Sequence, residues 1–187
     1  MKRISVAGVI ILAAGGCASN GGRDSATSQS APPVLVEAPI GIPAASAKHL
    51  VLNMTGASIV TGAKDWPKFQ KEWRDNFAEY AKADGVTFEV QDGEGHATGQ
   101  PGTLLKVYVN DYRFIGIGSR IMFGVMTGNA YIDAKATFSD LNDGKQIGER
   151  VYNTSSTAWA GIFATMTPAQ VDAIGHQVFA ELKSAQQ

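Results

Sequence analysis

The turn Asn142-Asp143-Gly144 constrains this chain more than any other feature, because it dictates how two strands must meet. Upstream of it, Tyr131 to Leu141 alternates cleanly, with Ile132, Ala134, Ala136 and Phe138 on one face and Asp133, Lys135, Thr137 and Ser139 on the other. That is the period of two of a strand buried on one side. Asn and Asp tolerate the positive φ of a tight turn, and Gly adopts it without steric cost. The segment from Gln146 to Thr157 is therefore expected to return antiparallel to its predecessor.

The other elements follow from similar signals. His49-Leu50-Val51-Leu52-Asn53-Met54 reads as a first strand, with Gly56 and Gly62 marking the connection after it. Behind Pro67, the residues Trp66, Phe69, Trp73, Phe77, Tyr80 and Ala81 recur at helical spacing while Lys68, Lys71, Arg74, Asp75, Glu79 and Lys82 take other faces. Gly85 supplies a C-terminal cap. Such an aromatic stripe can serve as a carbohydrate- or partner-binding face, but helical spacing favours core packing. Val86 to Val90 is a short strand, and Gln91 to Gly102 is a polar, glycine-rich loop expected to be mobile. Thr103 to Ile115 reads as a strand with Leu105, Val107 and Val109 on one face and Lys106, Tyr108, Asn110 and Tyr112 on the other. In Thr167-Pro168-Ala169-Gln170, Thr stands as helix cap, Pro at the first helical position and Gln at the capping-box position. Val171, Ile174, Val178 and Leu182 form the buried stripe of that helix, and Gly175 permits close approach to the sheet. The expected fold is α+β: a mainly antiparallel sheet of about five strands with two helices packed on one face, in the order β-α-β-β-β-β-α.

The N-terminal part has a different character. Lys2 and Arg3 precede a short apolar run, Ile4 to Ala14, that ends in small residues, the pattern of an export signal. The run is too short for a membrane span, which needs about 20 apolar residues. Ala14-Gly15-Gly16-Cys17 resembles the lipobox of bacterial lipoproteins. The resemblance implies cleavage before Cys17, acylation of that residue as the lipid attachment site, and anchorage to a membrane through acyl chains. With Ala18 rather than Asp after the cysteine, the same resemblance implies the periplasmic face of the outer membrane. Residues 1–16 are thus expected to be the signal, 17–47 the acylated cysteine and a flexible Ser-, Gly- and Pro-rich linker, and 48–187 the periplasmic domain. Within the linker, Val34-Leu35-Val36 and Ile40 are apolar enough to lie against the domain.

Charge and cysteine content narrow the function. Of 16 basic and 17 acidic side chains, Lys2 and Arg3 leave with the signal, so the mature chain carries about −3 and has no basic field to attract nucleic acid. The single cysteine rules out an intramolecular disulfide and a multi-thiolate metal site. Asp92, Glu94 and His96 alternate in the loop, but an EF-hand-like site would want glycine where Ala97 stands and glutamate where Thr103 stands, so no metal or other cofactor is expected. Gly116-Ile117-Gly118-Ser119-Arg120-Ile121 begins like a dinucleotide fingerprint and fails it at Ile121. No G-x-S-x-G elbow surrounds any serine, and His49, His96 and His176 are scattered, so no catalytic residue is assigned.

The remaining candidate is Arg113 to Asn129, where Gly116, Gly118, Gly124 and Gly128 interrupt an apolar run. Phe114, Ile121, Met122, Phe123 and Met126 are its candidate partner-contact residues, since contiguous apolar surface marks contact. The alternative is that the run covers the sheet or continues it through bulges. Asp111-Tyr112-Arg113-Phe114, Gly118-Ser119-Arg120-Ile121-Met122-Phe123-Gly124, Gly128-Asn129-Ala130, Phe138-Ser139-Asp140 and Asp143-Gly144-Lys145-Gln146-Ile147-Gly148 resemble the central motif of the bacterial lipoproteins grouped as "domain of unknown function 4410". That resemblance implies an envelope location and a compact α+β domain, and carries over no catalytic residue. The expected function is that of a non-enzymatic binding or structural module of the cell envelope with an envelope protein as partner. Two alternatives stand beside it: an accessory subunit of an export or assembly complex, and a periplasmic hydrolase using His96 with Asp92 or Glu94.

Overall fold

Alternating strands and two amphipathic helices assemble as the sequence leads one to expect, and the computed structural model describes them over residues 38–116, 129–155 and 166–187. The strands are β1 (His49–Gly56), β2 (Thr87–Gln91), β3 (Thr103–Arg113), β4 (Tyr131–Asp140) and β5 (Gln146–Asn153). They form one sheet in the order β2-β1-β3-β4-β5. Among the described residues the helices are a 3-10 turn at Ala44–Ser46, a single α-helical turn, α1 (Ser58–Thr61), and two long ones, α2 (Trp66–Asp84) and α3 (Thr167–Ser184). The fold class is therefore α+β, with five strands and both long helices contributing to one core.

The β4–β5 hairpin pairs antiparallel, as its turn requires. Gly144 takes φ 78°, its N–H donates to the Asp140 carbonyl at 2.8 Å, and the Asp140 and Asp143 carboxylates accept from the Asn142 and Lys145 N–H groups at 2.8 Å each. β3 also pairs antiparallel with β4, but β1 pairs parallel with both β2 and β3, so the sheet is mixed. Parallel neighbours need a crossover. Helix α2 provides the one from β1 to β2, closing on Gly85 in the left-handed region at φ 66°. Residues 92–102 provide the other, running from the far end of β2 back across β1 to the start of β3.

That second crossover is anchored where a mobile loop was expected. Asn53, only 2% exposed, donates through Nδ2 to the Gln91 and Gly93 carbonyls at 2.9 and 3.0 Å. The Thr98 N–H donates to the Leu141 carbonyl and the Leu141 N–H to the Gly102 carbonyl, each at 2.8 Å. A Cβ on Gly95 would lie 2.8 Å from the Asn53 amide carbon, so glycine is what lets this backbone lie on β1. The loop thereby buries Val51, Leu104 and Leu141, a small cluster on the sheet face opposite the helices.

The main core lies on the other face. Leu50, Leu52, Leu105, Val107, Ile132, Ala134, Ala136 and Phe138 meet Phe69, Trp73 and Phe77 from α2 and Val171, Ile174, Val178 and Leu182 from α3. Each fully buried aromatic of α2 contributes roughly 2–3 kcal/mol from burial, which settles the aromatic stripe as core. Ile40, Ile42 and Ala47 belong to the same core, so the apolar end of the segment preceding β1 packs onto the domain. Gly175 does permit a close approach, but to α2: its Cβ would lie 2.3 Å from the Asn76 Oδ1 and 3.2 Å from the Tyr80 ring. The α2–α3 seam, and not the sheet, is what requires a glycine there.

One residue changes face. The β3–β4 register shifts between Val109 and Asp111, leaving Asn110 as the extra residue of a bulge. Tyr112 therefore pairs with Ile132 on the helix side, and not with the outward row of Lys106 and Tyr108. There it stacks on Phe69 at 4.3 Å and reaches Trp66 at 6.0 Å.

Candidate functional site

The C-terminal ends of β1, β3 and β5, the start of β4 and the start of α3 all lie at one end of the sheet. This end is framed by buried hydrogen bonds to backbone groups. Thr167 accepts from the Ile115 N–H through Oγ1 at 2.8 Å and returns its own N–H to the Ile115 carbonyl at 3.1 Å. Thr154 does the same with Ile132, accepting at 2.8 Å and donating its N–H at 3.0 Å. The Gln170 amide donates to the Ala130 carbonyl at 2.8 Å. Thr167 and Gln170 were read from sequence as cap and capping box; instead Met166 is the N-cap residue and no side chain caps the helix. A hydroxyl and an amide so placed are worth more as partners for buried strand ends than for helix N–H groups that water can reach.

Around this frame the described surface is mixed: Lys64, Asp111 and Arg113 are exposed there, beside one fully presented apolar side chain. Ile59, on the one-turn helix after β1, is 83% exposed, the most exposed large hydrophobic side chain among the described residues. Its position follows from Gly56, whose missing Cβ would lie 2.7 Å from the Val109 carbonyl oxygen and which turns the chain off the sheet edgewise. Phe114 is half-buried against the core margin. Ile121, Met122, Phe123 and Met126 lie outside the described residues, and so does Cys17. The residues flanking 117–128 and 156–165 lie at this end, and among the twenty-two residues of those two segments Arg120 is the sole charge.

Two tyrosines next to the frame hold protons tightly. Tyr112 donates to the Asp65 carboxylate at 2.6 Å, and burial, followed by that hydrogen bond and the carboxylate's charge, raises its phenol well above the usual tyrosine range. Tyr131 donates to Asp111 at 2.7 Å, and this bond, with burial second, raises its phenol too. Neither can act as a base near neutral pH; both serve as fixed donors.

The residues weighed for metal or acid–base chemistry have other partners. Asp92 pairs with Arg74 of α2 at 2.6 Å. The ring of His96 approaches the Glu94 carbonyl at 3.2 Å, while its backbone is bracketed by the Gln91 side chain. His49 sits between the Glu89 carboxylate at 3.4 Å and the Pro101 carbonyl at 3.3 Å, and His176 lies edge-on to Tyr80. Among the described residues, no three His, Cys, Asp or Glu side chains are grouped as metal ligation would need. Nor is any described helix long and apolar enough to cross a membrane.

Sequence reasoning did not single out Ile59, and the signal was present: an isolated Ile-Val pair in a short connection bounded by Gly56 and Gly62. It also passed over the clustering of Thr154, Thr167 and Gln170, which only the topology brings together.

The class these features define is a small α+β domain with a mixed five-stranded sheet and two long helices on one face. No family model matches the chain, and no curated protein matches it, so neither the resemblance to the lipoproteins with domain of unknown function 4410 nor the lipobox gains support from these comparisons. Among solved structures it is similar to the PelC dodecamer from Paraburkholderia phytofirmans, at 13% identity over 81% of this chain and 94% of that one, with a TM-score of 0.36. A putative neuraminyllactose-binding hemagglutinin homolog from Helicobacter pylori gives 7% identity, 81% and 90% coverage and a TM-score of 0.43. A Xanthomonas campestris protein assigned to family DUF330 gives 14%, 84% and 96%, and 0.40.

Proposed function

We propose that this chain is a lipid-anchored protein on the periplasmic face of the outer membrane, and that its domain binds another envelope protein, without catalysis, through the sheet end that bears Ile59 and Phe114. The observation that carries the reading is the exposure of Ile59, 83%, at the same end as the residues flanking the two nearly uncharged segments. An isolated exposed isoleucine needs no explanation, but one at the same sheet end as a half-buried Phe114 and the residues flanking two nearly uncharged segments supports a contact surface. Ile121, Met122, Phe123 and Met126 would extend that surface, and Cys17 would supply the acyl anchor. Several buried acyl chains, at about 0.8 kcal/mol per CH₂, would hold the domain at the membrane.

The test is in-cell photo-crosslinking from positions 59, 114 and 123, with acyl labelling of the parent chain and of Cys17→Ala. The reading expects a specific adduct with an envelope protein that Phe123→Asp weakens, and acyl label that Cys17→Ala abolishes. An adduct at twice the chain's own mass would favour the accessory-subunit alternative, in which copies of this chain associate. Turnover of a substrate without any adduct from the three positions would overturn the binding reading.

A further inference from the structure

The segment just before β1 is held in an unusual way. Residues 38–43 make no strand pairing with the sheet, and Pro39 and Pro43 have no N–H to offer a ladder. Two side chains grip its backbone instead. Arg150 of β5 donates through Nη2 to the Ala38 carbonyl at 2.6 Å, and Glu181 of α3 accepts the Ile40 N–H through Oε2 at 2.9 Å. The two grips are joined to each other, Arg150 Nη2 to Glu181 Oε1 at 2.5 Å, with side chains only 14% and 17% exposed. Between them Ile40 and Ile42, each 6% exposed, plug the core margin, and Ile40 sits where a Cβ on Gly148 would come within 3.0 Å. The next firm hold is at Ser46 and Ala47, whose carbonyls accept from Thr103 Oγ1 at 2.9 Å and Gln186 Nε2 at 3.2 Å.

We infer that residues 38–45 are a releasable strap: the Arg150–Glu181 clasp stores this length against the domain, and pulling on the chain N-terminal to it opens the clasp before the sheet gives way. Among the described residues, force entering from that side meets the clasp first; once Arg150 and Glu181 let go, it passes to the Ser46 and Ala47 holds and then to β1. A bond pair and two side chains can let go separately, whereas β1 is zipped between β2 and β3 over its length. Eight residues at about 3.4 Å each would lengthen the tether by up to about 25 Å. The functional sense of this rests on the reading of Cys17 as the membrane anchor: a domain that has bound its partner could then move away from the membrane without unfolding.

The experiment pulls the full chain, produced without export so that Cys17 keeps its thiol, in an optical trap, with handles on Cys17 and on an Asn142→Cys thiol at the exposed hairpin. The inference expects an early, low-force lengthening of up to about 25 Å before global unfolding. In Glu181→Ala, and in Ile40→Ala, which leaves both gripping side chains in place, the closed state's lifetime at fixed load should fall at least tenfold while the global unfolding force stays the same. Unfolding of the parent in a single step would overturn it. So would an early step that neither variant shortens, or a global unfolding force that falls in parallel with it. Absence of acyl label on Cys17 in cells would remove the membrane-anchor reading and leave this mechanical result standing.

Discussion

Tyr112 is the residue on which alternation and structure give opposite answers, and a paired substitution with Tyr108 decides between them. Strict alternation from Leu105 puts both tyrosines on the outward face, so that truncating either should cost little. With Asn110 bulged out, Tyr108 stays outward at 46% exposure while Tyr112 turns inward onto Phe69 and Trp66 and bonds Asp65 at 2.6 Å. Tyr112→Phe removes one hydrogen bond to a charged acceptor, worth about 1.5–3 kcal/mol when buried; because the ring is only half-buried, about 1–2 kcal/mol is expected. Tyr112→Ala also removes the stacked ring. Full burial would make that 3–5 kcal/mol, and half-burial brings it to about 2–4. Tyr108→Phe and Tyr108→Ala, at a surface position, should stay within about 0.5 kcal/mol. Urea unfolding of the four variants reads this as shifts in midpoint at constant slope. Equal costs at positions 108 and 112 would refute the bulged register and the inward tyrosine with it.

Three further outcomes are expected. Asn53→Ala leaves the Gln91 and Gly93 carbonyls without their donor and should cost about 1–3 kcal/mol, with residues 92–98 becoming the first site of limited proteolysis. Thr167→Val removes the acceptor of the buried Ile115 N–H, so hydrogen exchange at that amide should accelerate well beyond any global loss of stability. Stability should also fall on the alkaline side. The phenols of Tyr112 and Tyr131 are raised in the folded state, so what they contribute is complete below the ordinary tyrosine value near 10 and is lost as pH climbs through their folded values. Tyrosinate absorbance followed against unfolding checks this, and Tyr112→Phe should flatten that limb.

What the sequence reveals about this fold depends on how local the deciding interaction is. The β4–β5 hairpin is set within a few residues of Asn142-Asp143-Gly144, and α2 and α3 declare their buried stripes by period, so these elements are legible. The parallel pairing of β1 is not, because nothing in residues 92–102 marks them as a crossover: their holds, Asn53 and Leu141, are 38 or more residues away in sequence. The bulge at Asn110 hides for a similar reason, since an alternating pattern extrapolates through an inserted residue without a mark. Thr167 and Gln170 carry a helix-start signature, yet tertiary partners at Ile115 and Ala130 claim their side chains. At the candidate site, Phe114 is legible as apolar sequence, whereas its place at the same sheet end as Ile59 arises only because β1 and β3 run parallel.

The central claim is that the end of the sheet bearing Ile59 and Phe114 meets an envelope partner. Its most direct measurement is the yield of in-cell photo-crosslinks from positions 59 and 114 compared with position 142, on the hairpin at the opposite end. The account predicts a discrete adduct from 59 and 114 and none from 142. Adducts only from 142, or from all three positions equally, would contradict it.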